Sequence, residues 1–264
     1  MKLPPVFFLR LSTRSLAGGR VVQLLIILAT CFMVPLGASA ANSEPAFEAA
    51  NKLYEEGRFA EAATAYENLL RSGGVSAALY FNLGNAYFKA GQLGRAIAAY
   101  RNASRLSPRD PDITANLQFA RNQRQGPSVS ISPFHRWLGK FSLNEWTSLA
   151  SIAFWTWLLL LAFTELRPAL KKPLRGTLLV LGASTVGLGI LLIAEWRAER
   201  LIQVVVVTAP QASARHGPLD ESQVAFTLND GAELRLLDKK NDWLQVTSGA
   251  NRVGWIKRNS VIAE

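Results

Sequence analysis

Two apolar runs without a charged residue, Trp146 to Phe163 and Thr177 to Ala194, constrain this chain more than any other feature. At about 1.5 Å of rise per helical residue, each run would extend roughly 27 Å, close to the hydrocarbon thickness of a bilayer. A buried core helix is the alternative interpretation, but charges confined to the edges of both runs favour the membrane. The sequence therefore predicts transmembrane helices over residues 146–164 and 177–195.

A short basic segment, residues 165–176, separates the two runs. Short cationic loops stay in the cytoplasm under the positive-inside rule, so the helix pair is predicted to form a hairpin that points inward. Residues 42–140 and 201–264 then both face the exterior, which is the periplasm in an envelope with two membranes. We therefore predict a multi-pass protein of the bacterial inner membrane. The cations that determine this topology are Arg167, Lys171, Lys172 and Arg175.

The net charge of +10 does not indicate a nucleic-acid partner. Residues 1–40 and 126–200 each carry a net charge of +4, so eight of the ten excess charges flank apolar runs. Cations at such places fix membrane orientation. Neither of the two predicted transmembrane runs contains an ionisable residue, which argues against an ion or substrate path.

The N-terminal segment, residues 1–40, has the order of a secretory signal. Lys2 and three arginines precede an apolar run, and Ala38-Ser39-Ala40 supplies small residues at the cleavage positions. The segment is long for a cleaved signal peptide, so an uncleaved signal anchor is the alternative. Both interpretations carry Asn42 onward across the membrane. A lipid-attachment box ending at Cys31 is a third interpretation, which the neighbouring threonine disfavours.

Two segments of the chain align at a fixed offset, and Gly57, Ala62 and Tyr66 in the first match Gly91, Ala96 and Tyr100 in the second. A period of about 34 residues, built as helix, turn and helix, resembles the tetratricopeptide repeat family. Small residues allow close helix contact and the tyrosines fill the gaps between them. We predict a helical domain over residues 43–125, with two repeats and a polar capping helix, "DITANLQFARNQRQ".

Solenoids of this family bind extended peptides in their concave face. Asparagine amides both donate and accept hydrogen bonds, so four asparagines are predicted to form a ladder along a peptide backbone. Such asparagines are also common in generic repeats and do not identify a ligand by themselves. Repeats that clamp a carboxylate carry lysines at two positions where this chain has phenylalanines, which favours apolar or main-chain contacts. By resemblance, the groove residues are Phe47, Asn51, Tyr54, Phe81, Asn82, Asn85, Phe88, Lys89 and Asn116.

Residues 126–145 contain glycine and prolines and are predicted to be a linker that descends to the membrane, with His135 at its interface. From residue 203 to 264 the pattern changes to five or six short strands of period two, with a tight turn at Asn229-Asp230-Gly231. This composition predicts a small barrel.

The C-terminal segment resembles the bacterial Src-homology-3-like (SH3-like) domain, whose members bind peptidoglycan peptides or protein partners. The resemblance rests on Arg215, Gly217-Pro218, Asp230-Gly231, Asp242-Trp243, Val246 and Gly254-Trp255-Ile256. By this resemblance Arg215, Trp243 and Trp255 are candidate surface contacts. A tryptophan in so small a barrel is either core or ligand platform, and the sequence leaves both interpretations open.

The fold class predicted for the whole chain is a multidomain membrane protein with an all-α helical repeat, a two-helix hairpin and a small all-β barrel. This order resembles the BatE family of bacterial aerotolerance operons, most closely through "FTLNDGAELRLLDKKNDWLQV" and "ANLQFAR". The resemblance implies a membrane-anchored envelope protein acting beside von Willebrand factor A-type partners, with a MoxR-type ATPase in the cytoplasm.

A catalytic function is not expected from this sequence. The single cysteine, Cys31, lies in the signal region, and His135 and His216 lie in dissimilar segments, so no catalytic site, metal site or cofactor is predicted. We expect a scaffold that binds envelope proteins through both soluble domains. The alternative is a wall-anchoring protein in which the SH3-like domain binds peptidoglycan.

Overall fold

The computed structural model of the protein describes residues 44–124, 132–201, 203–248 and 252–263. Within these residues the chain forms two compact units. One unit contains Thr147–Ile190, and the other contains residues 44–146 together with residues from Leu191 onward. The predicted signal segment, residues 1–40 with Cys31, lies outside the described residues.

The helical-repeat domain is built from helices that alternate with short turns. The two helices of each repeat are joined at Gly57 and at Gly91, and both glycines have φ of 76°. This left-handed conformation recurs at the equivalent position of both repeats and is one that glycine adopts without strain. The helices of this domain are α1 (Glu44–Glu55), α2 (Phe59–Arg71), α3 (Ala77–Lys89), α4 (Leu93–Leu106) and α5 (Pro111–Gln123).

Close packing between the helices follows from the small residues of the repeat. Ala62 and Ala96 are fully buried. A Cβ atom on Gly84 would lie 2.6 Å from the ring of Tyr100, so α3 and α4 can approach this closely only with glycine at that position. Asp110 caps α5 by accepting hydrogen bonds from the backbone N–H groups of Asp112 and Ile113. The predicted helical repeat is confirmed.

A short helix, α6 (Pro133–Leu138), lies within the predicted linker. Leu138 is fully buried, and its carbonyl oxygen accepts a hydrogen bond of 3.1 Å from Trp146 Nε1. Ser142 and Glu145 form a reciprocal capping box at the start of the next helix, because each side chain accepts a hydrogen bond from the backbone N–H of the other. The end of the linker is therefore ordered by its own contacts.

Two long apolar helices, α7 (Leu143–Leu166) and α8 (Lys171–Leu201), form the unit that contains Thr147–Ile190. A 3-10 turn at Pro168–Leu170 joins them. Both helices are long and apolar enough to cross a membrane. They contact each other where Trp157 Nε1 donates a 3.0 Å hydrogen bond to the carbonyl oxygen of Leu178.

Helix α8 begins earlier than the predicted span of 177–195. Lys171, Lys172 and Arg175 therefore lie in its first turns, and Arg167 lies in the link. The predicted cations thus remain at one end of the helix pair, although most of the predicted loop is helical.

The C-terminal β domain is a single antiparallel sheet, where the sequence predicted five or six strands of a small barrel. The described residues from 203 to 263 form seven strands, paired in the order β3-β2-β6-β5-β4-β1-β7. The predicted all-β class is confirmed. The strands are β1 (Val204–Val207), β2 (Gln211–Arg215), β3 (Val224–Asn229), β4 (Glu233–Lys240), β5 (Trp243–Ser248), β6 (Arg252–Lys257) and β7 (Val261–Ala263).

Strand β1 has both faces buried because it packs between two cores. Val205 and Val207 belong to the core of the β domain. Val206 belongs to the core of the helical repeat, and its partner on β7, Ile262, packs against the same core. Side chains alternate across a strand, so a run of four valines is what a strand buried on both faces requires. Strand β1 therefore contributes side chains to the core of the helical repeat and to the core of the β domain.

The turn between β3 and β4 caps a helix of the repeat. The N-cap residue of α4, Gln92, makes no side-chain capping bond. Instead, Asp230 Oδ1 accepts a 3.0 Å hydrogen bond from the backbone N–H of Gly94. Burial raises the pKa of Asp230, and backbone N–H groups that include Gly94 oppose the rise. A residue distant in sequence thus supplies the anion that a helix N-terminus favours.

Glu233, at the start of β4, is the buried charge that joins the two domains. Its side chain is 2% exposed and faces three arginines of α4, α5 and the residue after α5. Arg121 donates two hydrogen bonds to Glu233 Oε1 at 3.0 and 2.9 Å. Arg101 Nη1 lies 3.6 Å from the same oxygen, and Arg124 Nη1 lies 3.1 Å from Oε2 as an ion pair.

Burial alone would raise the pKa of Glu233, but the charges of the three arginines outweigh burial and hold the pKa below its usual value of 4.5. Helix α5 was expected to present a polar, solvated outer face. Arg121 on this helix and Arg124 just after it instead contact the β domain, because Glu233 provides the charge that makes their burial favourable.

Gly94→Ala is expected to weaken the contact between the domains. Replacing glycine by alanine in a helix normally stabilises it by about 0.5–1 kcal/mol. Here the new Cβ would lie 2.0 Å from the carbonyl oxygen of Val207, so we expect a loss of roughly 2 kcal/mol from overpacking. Hydrogen exchange at β1 in the detergent-solubilised full chain measures this loss. Gly187→Ala is the control, since no atom lies within 4 Å of its Cβ position. Unchanged exchange at β1 in Gly94→Ala would contradict the contact.

Glu233→Gln is expected to destabilise the same contact by about 3 kcal/mol, because three arginines lose their buried counter-charge. Exchange of backbone amides in β4 and α5 should then rise about a hundredfold. Glu221→Gln, at an exposed position of the β domain, is the control.

The pH dependence of the free energy of unfolding is a second test of the Glu233 contact. A lowered folded-state pKa contributes stability that is present above pH 4.5 and is lost as the pH falls through the folded-state pKa below that value. We therefore expect the stability difference between the wild type and Glu233→Gln to shrink only at acidic pH. A difference that is already absent at neutral pH would be inconsistent with the charge contact.

Candidate peptide-binding groove and β-domain surface

The first repeat contains a hydrogen-bonded network that joins three helices. Asn51 on α1 accepts two hydrogen bonds at Oδ1, from Tyr66 Oη at 2.7 Å and from Asn82 Nδ2 at 3.3 Å. Tyr66 lies on α2 and Asn82 lies on α3, so one amide fixes the positions of its neighbours. Asn51 and Asn82 were predicted from the sequence, whereas Tyr66 was seen only as a packing residue.

The second repeat contains the same network at the equivalent positions. Asn85 Oδ1 accepts a 2.7 Å hydrogen bond from Tyr100 Oη and a 3.0 Å hydrogen bond from Asn116 Nδ2. The predicted asparagine ladder therefore consists of two triads. Because Asn82 and Asn116 donate within the triads and Asn51 Nδ2 donates to Glu48, the carbonyl oxygens of Asn82 and Asn116 and the Nδ2 of Asn85 remain for a ligand.

The two predicted phenylalanines pack on the tyrosines of these triads. The rings of Phe47 and Tyr66 lie 5.8 Å apart, and those of Phe81 and Tyr100 lie 6.0 Å apart, both in tilted arrangements. Both phenylalanines are partly buried against the helical core. They form an apolar wall beside the amides.

The tyrosine hydroxyls of the triads are shielded from water. Burial raises the pKa of Tyr66 to about 12, and the negative charges of Glu48 and Glu55 add to the rise. Burial also raises the pKa of Tyr100 above its usual value. Both phenols therefore remain protonated donors at any physiological pH, which holds the orientation of Asn51 and Asn85 constant.

A cavity of about 160 Å³ opens in the groove beside the first triad. The ring of Tyr54 forms one side and is held by Phe59, whose ring centroid is 5.2 Å away in an edge contact. The cavity is lined by Asn51, Tyr54, Glu55, Tyr66, Asn82 and Asn85. Four of the predicted groove residues therefore meet at one cavity, together with Glu55, which the sequence reasoning missed.

The last predicted groove residues, Phe88 and Lys89, end helix α3. The ring of Phe88 lies 5.6 Å from that of Phe119 on α5, and Lys89 is exposed. Phe119 was not predicted. Its position one repeat period after Asn85 was the signal that could have identified it.

On the β domain, Arg215 and Trp255 lie side by side on the outer face of the sheet. They are register partners between β2 and β6, and both are half-buried. Arg215 Nη1 donates a 2.6 Å hydrogen bond to the carbonyl oxygen of Ser222, which fixes the guanidinium beside the ring. Trp255 thus presents part of its surface to solvent, as a ligand platform requires.

Trp243 is more deeply placed than Trp255. It is 9% exposed, and the ammonium of its register partner Lys257 lies 5.6 Å from the ring centroid. Lys257 is in turn paired with Asp220 at 2.6 Å. Of the two tryptophans, Trp255 is the more accessible. No three His, Cys, Asp or Glu side chains come together as a metal site within the part of the chain that the structure describes.

The protein thus combines a helical-repeat domain, whose groove contains a cavity, with a small β domain and two apolar helices. Residues 47–111 match the tetratricopeptide repeat family, and residues 208–261 match the bacterial SH3 domain family. No curated protein matches the chain. The matched domains indicate a protein-binding or peptidoglycan-binding role.

Proposed function

We propose that this protein is a membrane-anchored envelope scaffold that binds a protein partner through the groove of its tetratricopeptide repeats. The observation that carries the proposal is the repeated asparagine–tyrosine–asparagine triad. It holds polar amides in fixed positions along a groove that also contains a cavity. Fixed amides beside apolar rings suit the main chain and side chains of an extended peptide.

The shared core of the helical repeat and the β domain supports the proposed topology. These domains precede and follow the two apolar helices in sequence, yet Val206 packs in the helical core and Glu233 pairs with Arg121. If the apolar helices cross the membrane, both domains must lie on the same side of it. The cations at the turn between the helices favour the cytoplasm for that turn and the periplasm for the domains.

Anchoring in the membrane assists such a scaffold. Tethering raises the effective concentration of a weakly bound partner to the order of millimolar when the link is short, so modest affinities suffice. No step of this function requires catalysis, and we propose that the protein is not an enzyme. The resemblance to the BatE family suggests von Willebrand factor A-type proteins of an aerotolerance complex as the partners.

A wall-anchoring function is the second candidate. The half-buried Trp255 beside Arg215 on a bacterial SH3 domain supports it, because an aromatic face next to a cation suits an anionic peptidoglycan peptide. The β domain shares its core with the repeat, so it must be tested within the full chain rather than as a fragment.

Photoreactive residues in place of Phe81 and Lys89 test the groove in living cells. We expect crosslinks to a small number of specific envelope proteins, identified by mass spectrometry. Photoreactive residues in place of Arg71 and Glu56, which are exposed outside the cavity, are the controls and should give only diffuse products. Equal products from both sets, together with sedimentation of the solubilised chain on peptidoglycan, would favour wall anchoring instead.

An alkaline phosphatase that functions only outside the inner membrane, fused after Glu264, tests the topology. We expect an active fusion, because the cationic turn between the helices remains in the cytoplasm. The same enzyme inserted after Arg167 should be inactive. The opposite pattern would place the groove in the cytoplasm and exclude periplasmic partners.

A further inference from the structure

The two repeats share their triads but carry opposite charges at one equivalent position. Glu55 ends helix α1, and Lys89, one repeat period later, ends helix α3. Both side chains are exposed. Since the triads fix the two repeats in the same arrangement, Glu55 and Lys89 occupy corresponding places along the groove. The groove is therefore acidic at its first repeat and basic at its second.

The cavity of the first repeat is suited to a cation. Its lining contains a carboxylate, two tyrosines and three asparagines, and no lysine or arginine. Asn82 uses its Nδ2 to donate to Asn51, which leaves the carbonyl oxygen of Asn82 as an acceptor. A cation over the face of a tyrosine is attracted by the ring even at an exposed site.

Glu55 has no counter-ion of its own in the part of the chain that the structure describes. The nearest arginine in sequence, Arg58, pairs with Glu56 at 3.1 Å and also with Glu61. A second acid, Glu48, lies on the same helix and accepts a 3.4 Å hydrogen bond from Asn51 Nδ2. Lys52 lies on the same helix but forms no ion pair with either acid in the described part of the chain, so two carboxylates face one cation at this end of the groove.

The corresponding place in the second repeat differs in three of six positions. Tyr54 is replaced by Phe88, Glu55 by Lys89 and Asn85 by Phe119. The rings of Phe88 and Phe119 contact each other there. The second repeat thus presents an apolar surface with one exposed ammonium, which favours an acidic side chain rather than a basic one.

We propose that the groove reads the charge order of an extended peptide: a Lys or Arg side chain enters the cavity beside Glu55, and an Asp or Glu side chain pairs with Lys89. This inference rests on the proposed peptide-binding function. Helices α1 and α3 are in contact, so their axes lie about 8–10 Å apart. An extended chain covers about 3.3–3.6 Å per residue, so the two charges lie about two to three residues apart.

Random decapeptides displayed on phage and selected on the full chain in detergent micelles test this inference. We expect enriched peptides to carry a basic and an acidic residue at that separation and in one fixed order along the peptide. The double variant Glu55→Lys with Lys89→Glu should enrich the reverse order. Glu56→Gln, which changes an exposed acid outside the cavity, should keep the wild-type order.

Fluorescence anisotropy with one enriched peptide measures how much each charge reversal weakens peptide binding. Each single reversal, Glu55→Lys or Lys89→Glu, should weaken binding at least about fivefold, since an exposed charge pair contributes up to about 1 kcal/mol and a like charge opposes binding. Both side chains are exposed, so circular dichroism of the variants should match the wild type.

The outcomes separate the inference from the function on which it rests. Enriched peptides without a charge pattern, or with the same order in the double variant, would overturn the inference and leave peptide binding intact. Failure to enrich any peptide would overturn both.

Discussion

The buried carboxylate of Glu233 among three arginines is the interaction on which the arrangement of the helical repeat and the β domain depends. A carboxylate removed from water is costly unless it is paired and hydrogen-bonded. Arg121 provides two hydrogen bonds, and Arg101 and Arg124 also lie within ion-pair distance of the carboxylate. Such a contact has few alternative partners, so it fixes one mode of docking between the helical repeat and the β domain.

The contact with the β domain also covers apolar surface that a short solenoid would otherwise expose. A repeat array exposes an apolar face at its last helix, and it needs a cap. Here Val206 and Ile262 of the β domain extend the helical core, and Asp230 supplies the missing N-terminal cap of α4. The β domain is therefore both a candidate binding module and a structural part of the repeat.

Helix α4 connects the groove to the contact with the β domain. Tyr100 and Arg101 are neighbours on α4, and the first holds Asn85 while the second faces Glu233. The helix that orients the groove amides is thus held by the β domain on its other side. Preorganised donors and acceptors lose less conformational entropy when a ligand binds. A groove of only two repeats can then present fixed positions to a peptide.

Local patterns in the amino-acid sequence were sufficient to predict the helices and strands. The helical repeat period, the two apolar runs and the period-two strands each have a signature in neighbouring residues, because helix and strand geometry repeat locally. The asparagine ladder was also accessible, since Asn51 and Asn85 stand one period apart. Even the opposite charges of Glu55 and Lys89 were visible in the repeat, but only the cavity gave the acid a role.

The contacts between the domains, in contrast, join residues that are far apart in the sequence. The hydrogen bond from Gly94 to Asp230 joins residues 136 positions apart, and that from Arg121 to Glu233 joins residues 112 apart. No local periodicity marks such pairs. From the sequence, Asp230 was predicted only to be part of a tight turn, and Arg121 was predicted to lie on a solvent-facing helix. Their roles follow from burial and charge, which exist only once distant segments have been brought together.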